Sequence, residues 1–326
     1  MKNRISRRDF LQQSTALLSA VPIIAGTVPA DPNKPVLPRR VLGRTGMKVS
    51  VLAFGSGKFF QDIPEGQWEP VVQKALDLGI NYFDEASAYN FNKNHPHSET
   101  RLGQILPKHR KSVYVCTKLD QRDPEKAKKE LEECMKRLRM DYLDVLMAHG
   151  IRETETDIGA LEKGIYTQLR KWKEEGVAKF IGFSSMMKDG PMTKKLIEVL
   201  DPDVVLIAIS ATNYGKIAEN AIPAAQARNT GFMAMKMLRD VVGKNATARE
   251  LLHYAWTQPG VVSLCVGHSS VKELEENVKT VCEFAEGKSS LDRKALEKRL
   301  AHLATPEVLS WARPDYRDGG DGPSFA

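Results

Sequence analysis

Four side chains in this 326-residue chain could together move a proton onto an oxygen: Asp84, Tyr89, Lys118 and His149. Tyrosine is a poor acid at neutral pH, because its phenol ordinarily titrates near pH ~10. An adjacent ammonium such as Lys118 favours the phenolate and would bring the phenol towards the working pH, with Asp84 orienting and balancing the lysine. A neutral imidazole at His149 could donate a hydrogen bond to a carbonyl oxygen and align it for hydride attack. Each residue alone also has a structural reading, Asp84 and Lys118 as a rim ion pair and His149 as a satisfied histidine. Placed as a set at the ends of three successive strand candidates, they point to a general acid.

The elements that must position them are legible from periodicity. Short apolar, β-rich runs at 49–55, 81–86, 113–119, 142–149, 179–184, 204–210, 231–238 and 261–267 alternate with amphipathic helical stretches. Eight such repeats predict an α/β fold closed as a (β/α)8 TIM barrel. The strand candidates are apolar until Asp84, Lys118, His149, Ser184, Ser210 and Lys236 appear towards their C-terminal ends, the end at which such a barrel builds its active face. Asp123-Pro124 reads as a helix start, Gly79 and Gly176 as helix stops. The competing open doubly wound sheet would need a GxGxxG turn to bind a dinucleotide, and the sequence has none.

Composition bounds the rest. With 42% hydrophobic and 27% charged residues the chain reads as an ordinary globular protein. Its formal charge is +7, of which Lys2, Arg4, Arg7 and Arg8 against Asp9 contribute +3. The remaining basic residues are interleaved with acids, as at 125–139, so no nucleic-acid partner is expected. Cys116, Cys134, Cys265 and Cys282 lack metal-ligand spacing, and His95 and His97 lack a third partner, so no metal is expected and a metal-dependent hydrolase is disfavoured.

Residues 1–30 form a separate segment: Ser6-Arg7-Arg8-Asp9-Phe10-Leu11, an apolar stretch at 16–25, then Val28-Pro29-Ala30. This resembles a twin-arginine export signal cleaved near Ala30. It implies the twin-arginine export machinery as a partner, a periplasmic or extracellular location, and no stable membrane insertion after cleavage. The expected organisation is thus a signal peptide at 1–30, the barrel at 31–290, and at 291–326 a helix, centred on 292–303, followed by a mobile tail.

Gly79-Ile-Asn-Tyr-Phe-Asp84-Glu-Ala-Ser-Ala-Tyr89, followed by Ser98-Glu99-Thr-Arg-Leu-Gly103, resembles the aldo-keto reductase pattern around its catalytic aspartate and tyrosine. Val115-Cys-Thr-Lys118 and the run from Arg137 to His149 are similar to the same family, and the resemblance extends from Arg40 to about Ala285. It implies Asp84, Tyr89, Lys118 and His149 as a catalytic tetrad, NADP or NAD as cofactor, and a small-molecule carbonyl or alcohol, sugar-like compounds included, as substrate. The resemblance also implies cofactor contacts at Ser184, Ser185 and Lys236, and at Gly267, Ser269, Ser270, Glu276 and Asn277 after the eighth strand.

Several positions depart from the family pattern. Ser185 replaces an asparagine, Leu206 stands where a glutamine is usual, and Met235 replaces an aromatic that stacks on the nicotinamide. Gly267 and Glu273 occupy places where NADP-selective members carry lysine and arginine, which makes NAD or a weak NADP preference credible. The missing glutamine and aromatic also admit a catalytically weak, nucleotide-binding accessory or sensor protein. Lys236 could instead pair with Asp240, and Ser269-Ser270 could cap a helix. Phe59 and Phe60 suggest a partly aromatic pocket, with one of the two given to the core.

Overall fold

The computed structural model describes residues 37–313, 315, 316 and 318. Residues 1–30, expected from the sequence to be an export signal, lie outside the described residues. The described residues open with a two-stranded hairpin, β1 (Arg39–Val41) antiparallel to β2 (Lys48–Ser50). Eight parallel strands follow: β3 (Leu52–Gly55), β4 (Tyr82–Asp84), β5 (Tyr114–Leu119), β6 (Leu143–Ile151), β7 (Ala178–Ser185), β8 (Val204–Ala208), β9 (Gly231–Met235) and β10 (Val261–Gly267). They close in sequence order, with β10 pairing β3. The fold is the expected (β/α)8 barrel.

Every residue of β6, β8 and β9 is buried, as strands covered by helices outside and filled by side chains inside must be. The helices carry the expected punctuation: Asp123 Oδ1 accepts from Lys126 N at 2.9 Å ahead of the helix Pro124–Leu138, and Gly79 and Gly176 take positive φ. The helix expected at 292–303 runs from Arg293 to Leu300 with Asp292 as its cap, then tightens into a 3-10 turn. No helix among the described residues is long and apolar enough to cross a membrane.

One expected strand divides. Residues 49–55 were a single periodic run, yet β2 pairs back with β1 while β3 enters the barrel. The break is stabilised locally: Ser50 Oγ donates to Leu52 O at 2.7 Å, and Ser50 N donates to Asn81 Oδ1 at 2.7 Å. The hairpin tip meets the N-terminal end of β9, where Gly43 has φ of +51° and an added Cβ would lie 2.3 Å from Gly231 N. Only glycine fits that approach. The face opposite the hairpin is left for the site.

Candidate active site

β4, β5 and β6 are hydrogen-bonded neighbours, so Asp84, Lys118 and His149 come from three adjacent strands, with Asp84 opposite Cys116 and Lys118 opposite Met147. Lys118 Nζ donates to Asp84 Oδ2 at 2.7 Å and to the Glu85 carbonyl at 2.6 Å. Burial works against the ammonium, but Asp84 outweighs it and holds the lysine pKa above its usual value. Tyr89, on the loop after β4, lies with its ring centroid 5.0 Å from Lys118 Nζ and 5.7 Å, edge to face, from the His149 ring. All four expected side chains therefore converge on one end of the barrel.

Their electrostatics differ from expectation in one respect. Tyr89 is not made more acidic: burial raises its pKa well above the usual phenol value, and the carboxylates of Asp318 and Asp84 add to the rise. Lys118 is already balanced by Asp84 and so lends the phenol little of its charge. The hydroxyl stays protonated across the neutral range, the state from which a proton can be given, but as a weaker acid than a free phenol.

The motif containing Ser98 and Glu99 builds a layer beneath these groups. Ser98 Oγ donates to Glu85 Oε2 at 2.6 Å, while Glu99 accepts from Thr117 Oγ1 at 2.6 Å and Arg137 Nε at 2.7 Å. Burial, aided by Glu99, pushes the Glu85 pKa well above the usual carboxylate range. Gly103 permits this helix to lie on its neighbour, since a Cβ there would stand 2.1 Å from Arg137 O. The network fixes the strand from which Lys118 projects.

Two residues that sequence reasoning did not single out complete the site. His149 Nδ1 lies 2.6 Å from Oδ1 of Asp120, which directly follows β5. Asp318, from the C-terminal segment expected to be mobile, is buried in the barrel mouth: its Oδ2 accepts from the Tyr89 hydroxyl at 3.3 Å and lies 3.7 Å from His149 Nε2. Its Oδ1 accepts from Lys236 Nζ at 2.9 Å and from the Tyr316 hydroxyl at 3.1 Å. Burial opposes the Asp318 charge, but Lys236 and His149 hold its pKa well below the carboxylate range. Asp120 carried a readable signal, a carboxylate at a strand's C-terminal end. Asp318 carried none, because a segment rich in Gly, Pro and Asp has no periodicity to follow.

The expected cofactor residues fall into groups. Ser184 Oγ accepts from Gly150 N at 2.9 Å, and Ser185 Oγ donates to Ile151 O at 2.8 Å, so both link β7 to β6. Lys236 does not pair with Asp240 but with Asp318, and Asp240 accepts from Ser310 N at 2.7 Å instead. Ser270 caps the helix Val271–Ala285, its Oγ accepting from Glu273 N at 3.2 Å, and Ser269 Oγ donates to Glu273 Oε2 at 2.7 Å. Gly267 ends β10 beside Gly55, Asn277 is buried on that helix and Glu276 is exposed. Leu206 and Met235 are buried.

Other expectations resolve plainly. Phe60 belongs to the core, 5.2 Å from Phe54 between ring centroids, whereas Phe59 is 51% exposed and free to line a mouth. His95 and His97 bond backbone carbonyls of Gln61 and Ser87 at 2.8 and 2.6 Å, so both order loops. Among the described residues no group of three His, Cys, Asp or Glu side chains is placed to hold a metal.

Comparison with known proteins fits this geometry. The profile of the Aldo/keto reductase family matches residues 51–242. The chain belongs to this family. It is similar to an L-galactose dehydrogenase of Arabidopsis thaliana, 27% identical over 320 residues, covering 83% of this chain and 96% of the relative. A D-threo-aldose 1-dehydrogenase of a Pseudomonas species is 27% identical over 224 residues, covering 58% of this chain and 66% of that one. The solved structure of a putative aldo-keto reductase from Pseudomonas aeruginosa superimposes with a TM-score of 0.65 at 24% identity, covering 77% of this chain and 98% of the other, and supports the fold. This aldo-keto reductase is accordingly an oxidoreductase.

Proposed function

We propose that this aldo-keto reductase interconverts a small, sugar-like carbonyl compound and its alcohol with NAD or NADP, Tyr89 serving as the acid in reduction and the base in oxidation. The observation that carries the reading is a single oxygen atom. Asp318 Oδ2 lies within 3.3 Å of the Tyr89 hydroxyl and 3.7 Å of His149 Nε2, which is where a carbonyl oxygen must sit to be protonated and polarised by those two groups. The carboxylate oxygen stands in for the substrate's.

The residues present fit a dinucleotide. Lys236 is a half-buried cation whose partner is a carboxylate, and the helix capped by Ser270 presents its N-terminal end to a phosphate. Ahead of it His268 is wholly buried, and neither ring nitrogen has a hydrogen-bond partner among the described residues. Lys236, Ser269, Ser270 and Asn277 would hold the nucleotide, with Gly267, packed against Phe59 at the end of β10, beside them, and Ser184 and Ser185 would border its reactive end. When bound, the nicotinamide supplies or accepts the hydride. The chain's own residues orient the carbonyl between Tyr89 and His149, exclude water, and deliver a proton from the phenol to its oxygen. Residues 1–30 carry the expectation of export through the twin-arginine machinery to a periplasmic or extracellular location.

The test is a panel of aldehydes, ketones and aldoses with each reduced or oxidised nucleotide, followed by the absorbance of the reduced cofactor. Turnover with any member supports the reading, and silence in both directions overturns it. Leu206 and Met235 favour the second reading, a nucleotide-binding accessory, which the same experiment reads as binding without turnover.

Two further outcomes follow. A carbonyl and the Asp318 carboxylate claim one position, so Asp318→Asn should lower the substrate KM by about three- to tenfold by raising the fraction of open sites. An unchanged KM in steady-state assays would count against the shared position. Glu273, paired with Ser269 where a 2′-phosphate would bind, should disfavour NADP; Glu273→Arg is expected to raise the NADP-to-NAD ratio of kcat/KM by roughly tenfold or more, equivalent to about 1.4 kcal/mol.

A further inference from the structure

We infer that Asp120 is a positioning residue that pins a proton on Nδ1 of His149, so that Nε2 can donate to the substrate oxygen only when the ring carries both protons. The inference rests on the carbonyl reading above and adds the charge state and orientation of its electrophile.

A carboxylate oxygen 2.6 Å from Nδ1 can only accept, which makes Nδ1 the donor. A neutral ring so oriented presents a bare lone pair at Nε2, and that lone pair repels a carbonyl oxygen. The imidazolium instead offers Nε2–H and a positive charge, both of which favour an oxygen gaining electron density. The neutral imidazole expected from the sequence is replaced by a charged one.

Asp120 is itself held in place. Its backbone N–H donates to Glu130 Oε1 at 3.0 Å, as does Gln121 N to Oε2 at 3.0 Å. Arg122 spans the same turn, donating to the His149 carbonyl at 2.7 Å and to Glu155 Oε1 at 2.6 Å. Burial raises the Asp120 pKa, but the His149 hydrogen bond and charge and the Arg122 charge outweigh it and keep the carboxylate ionised. His149 is faced by Asp120 from the β5 turn, by Asp318 from the C-terminal segment, by Lys118 from β5 and by the Tyr89 ring. Burial and Lys118 disfavour its charge; Asp120 and Asp318 together prevail, and its pKa is raised.

The experiment uses the full chain with Asp120→Asn and Asp120→Glu, and two readouts. The His149 ring is titrated by NMR, its signals assigned by their loss in His149→Gln. The pH profile of kcat/KM for carbonyl reduction is recorded in parallel. Asp120→Asn should move the His149 midpoint down by about one pH unit or more, and the basic limb of the profile should follow it, costing roughly tenfold in rate per unit above the new limb. Asp120→Glu should restore most of both.

An unmoved midpoint in Asp120→Asn overturns the inference whatever the assay shows. A moved midpoint with an unmoved limb overturns the requirement for a charged ring. A moved midpoint in a protein that turns over no carbonyl, wild type included, upholds the pinned proton and overturns the carbonyl reading instead. Asp120 is half-exposed at its side chain, so its replacement leaves the core intact and the variants can be compared as folded proteins.

Discussion

Replacing Tyr89 with phenylalanine is expected to lower carbonyl turnover by about two to four orders of magnitude while leaving nucleotide affinity within about twofold. The change removes one atom, the oxygen that carries the transferable proton. The ring keeps its place against Phe91, 5.7 Å away, and its edge-to-face contact with His149, so the pocket's shape is unaltered. Losing the 3.3 Å hydrogen bond costs about 1–3 kcal/mol, because it leaves the buried Asp318 Oδ2 with only His149 Nε2, 3.7 Å away, while Oδ1 keeps Lys236 and Tyr316. The thermal midpoint should therefore fall by a few degrees from wild type. Steady-state kinetics and nucleotide titration on the same preparation decide the matter: wild-type rates in Tyr89→Phe remove the phenol from the chemistry, while loss of nucleotide binding would assign it a structural role.

The high phenol pKa sets how each direction of the reaction responds to pH. A hydroxyl that burial and two carboxylates keep protonated already carries the proton that reduction uses, and oxidation of an alcohol requires it first to lose that proton. Reduction should accordingly run well at neutral pH, and oxidation should accelerate as pH rises. A pair of kcat profiles, one for each direction, checks this; an oxidation rate that stays flat to high alkalinity would assign the base to another group.

The barrel was legible because its strands alternate with helices of distinct period, and eight repeats leave little room for another closure. The convergence of Asp84, Lys118 and His149 was legible for a related reason: polar groups towards the C-terminal ends of otherwise apolar strands mark the polar mouth. The split between β2 and β3 was not, since Ser50 lies inside a continuous β-rich run and its bend depends on Asn81, which is distant in sequence. Ser184 and Ser185 were expected as cofactor contacts from the family resemblance; that both also link β6 to β7 was not legible, because a hydroxyl's partner cannot be seen in sequence. Asp318 meets Lys236, 82 residues away in sequence, and Tyr89, 229 residues away, through contacts no local pattern encodes. Asp120 was within reach of the same rule that found Lys118, applied two residues further along.

Lys118→Met should both abolish turnover and destabilise the fold by about 3–5 kcal/mol, a large share of the roughly 5–15 kcal/mol that holds a typical domain together. The reason lies in what it leaves behind. Asp84 is 2% exposed, its Oδ1 already has no hydrogen-bond partner among the described residues, and removing the ammonium strips Oδ2 as well. An unpaired buried carboxylate must then either persist at high cost or take up a proton. The Glu85 carbonyl loses a donor in the same step. Adding Asp84→Leu to Lys118→Met removes the stranded charge and restores apolar volume, so the double variant should recover most of the lost stability and none of the activity. Denaturant midpoints for the single and double variants, with turnover measured beside them, separate the two roles of the pair. A double variant no more stable than Lys118→Met would show that packing, not the orphaned charge, sets the cost. Turnover surviving in Lys118→Met would place the lysine outside the reaction and confine it to supporting the barrel rim.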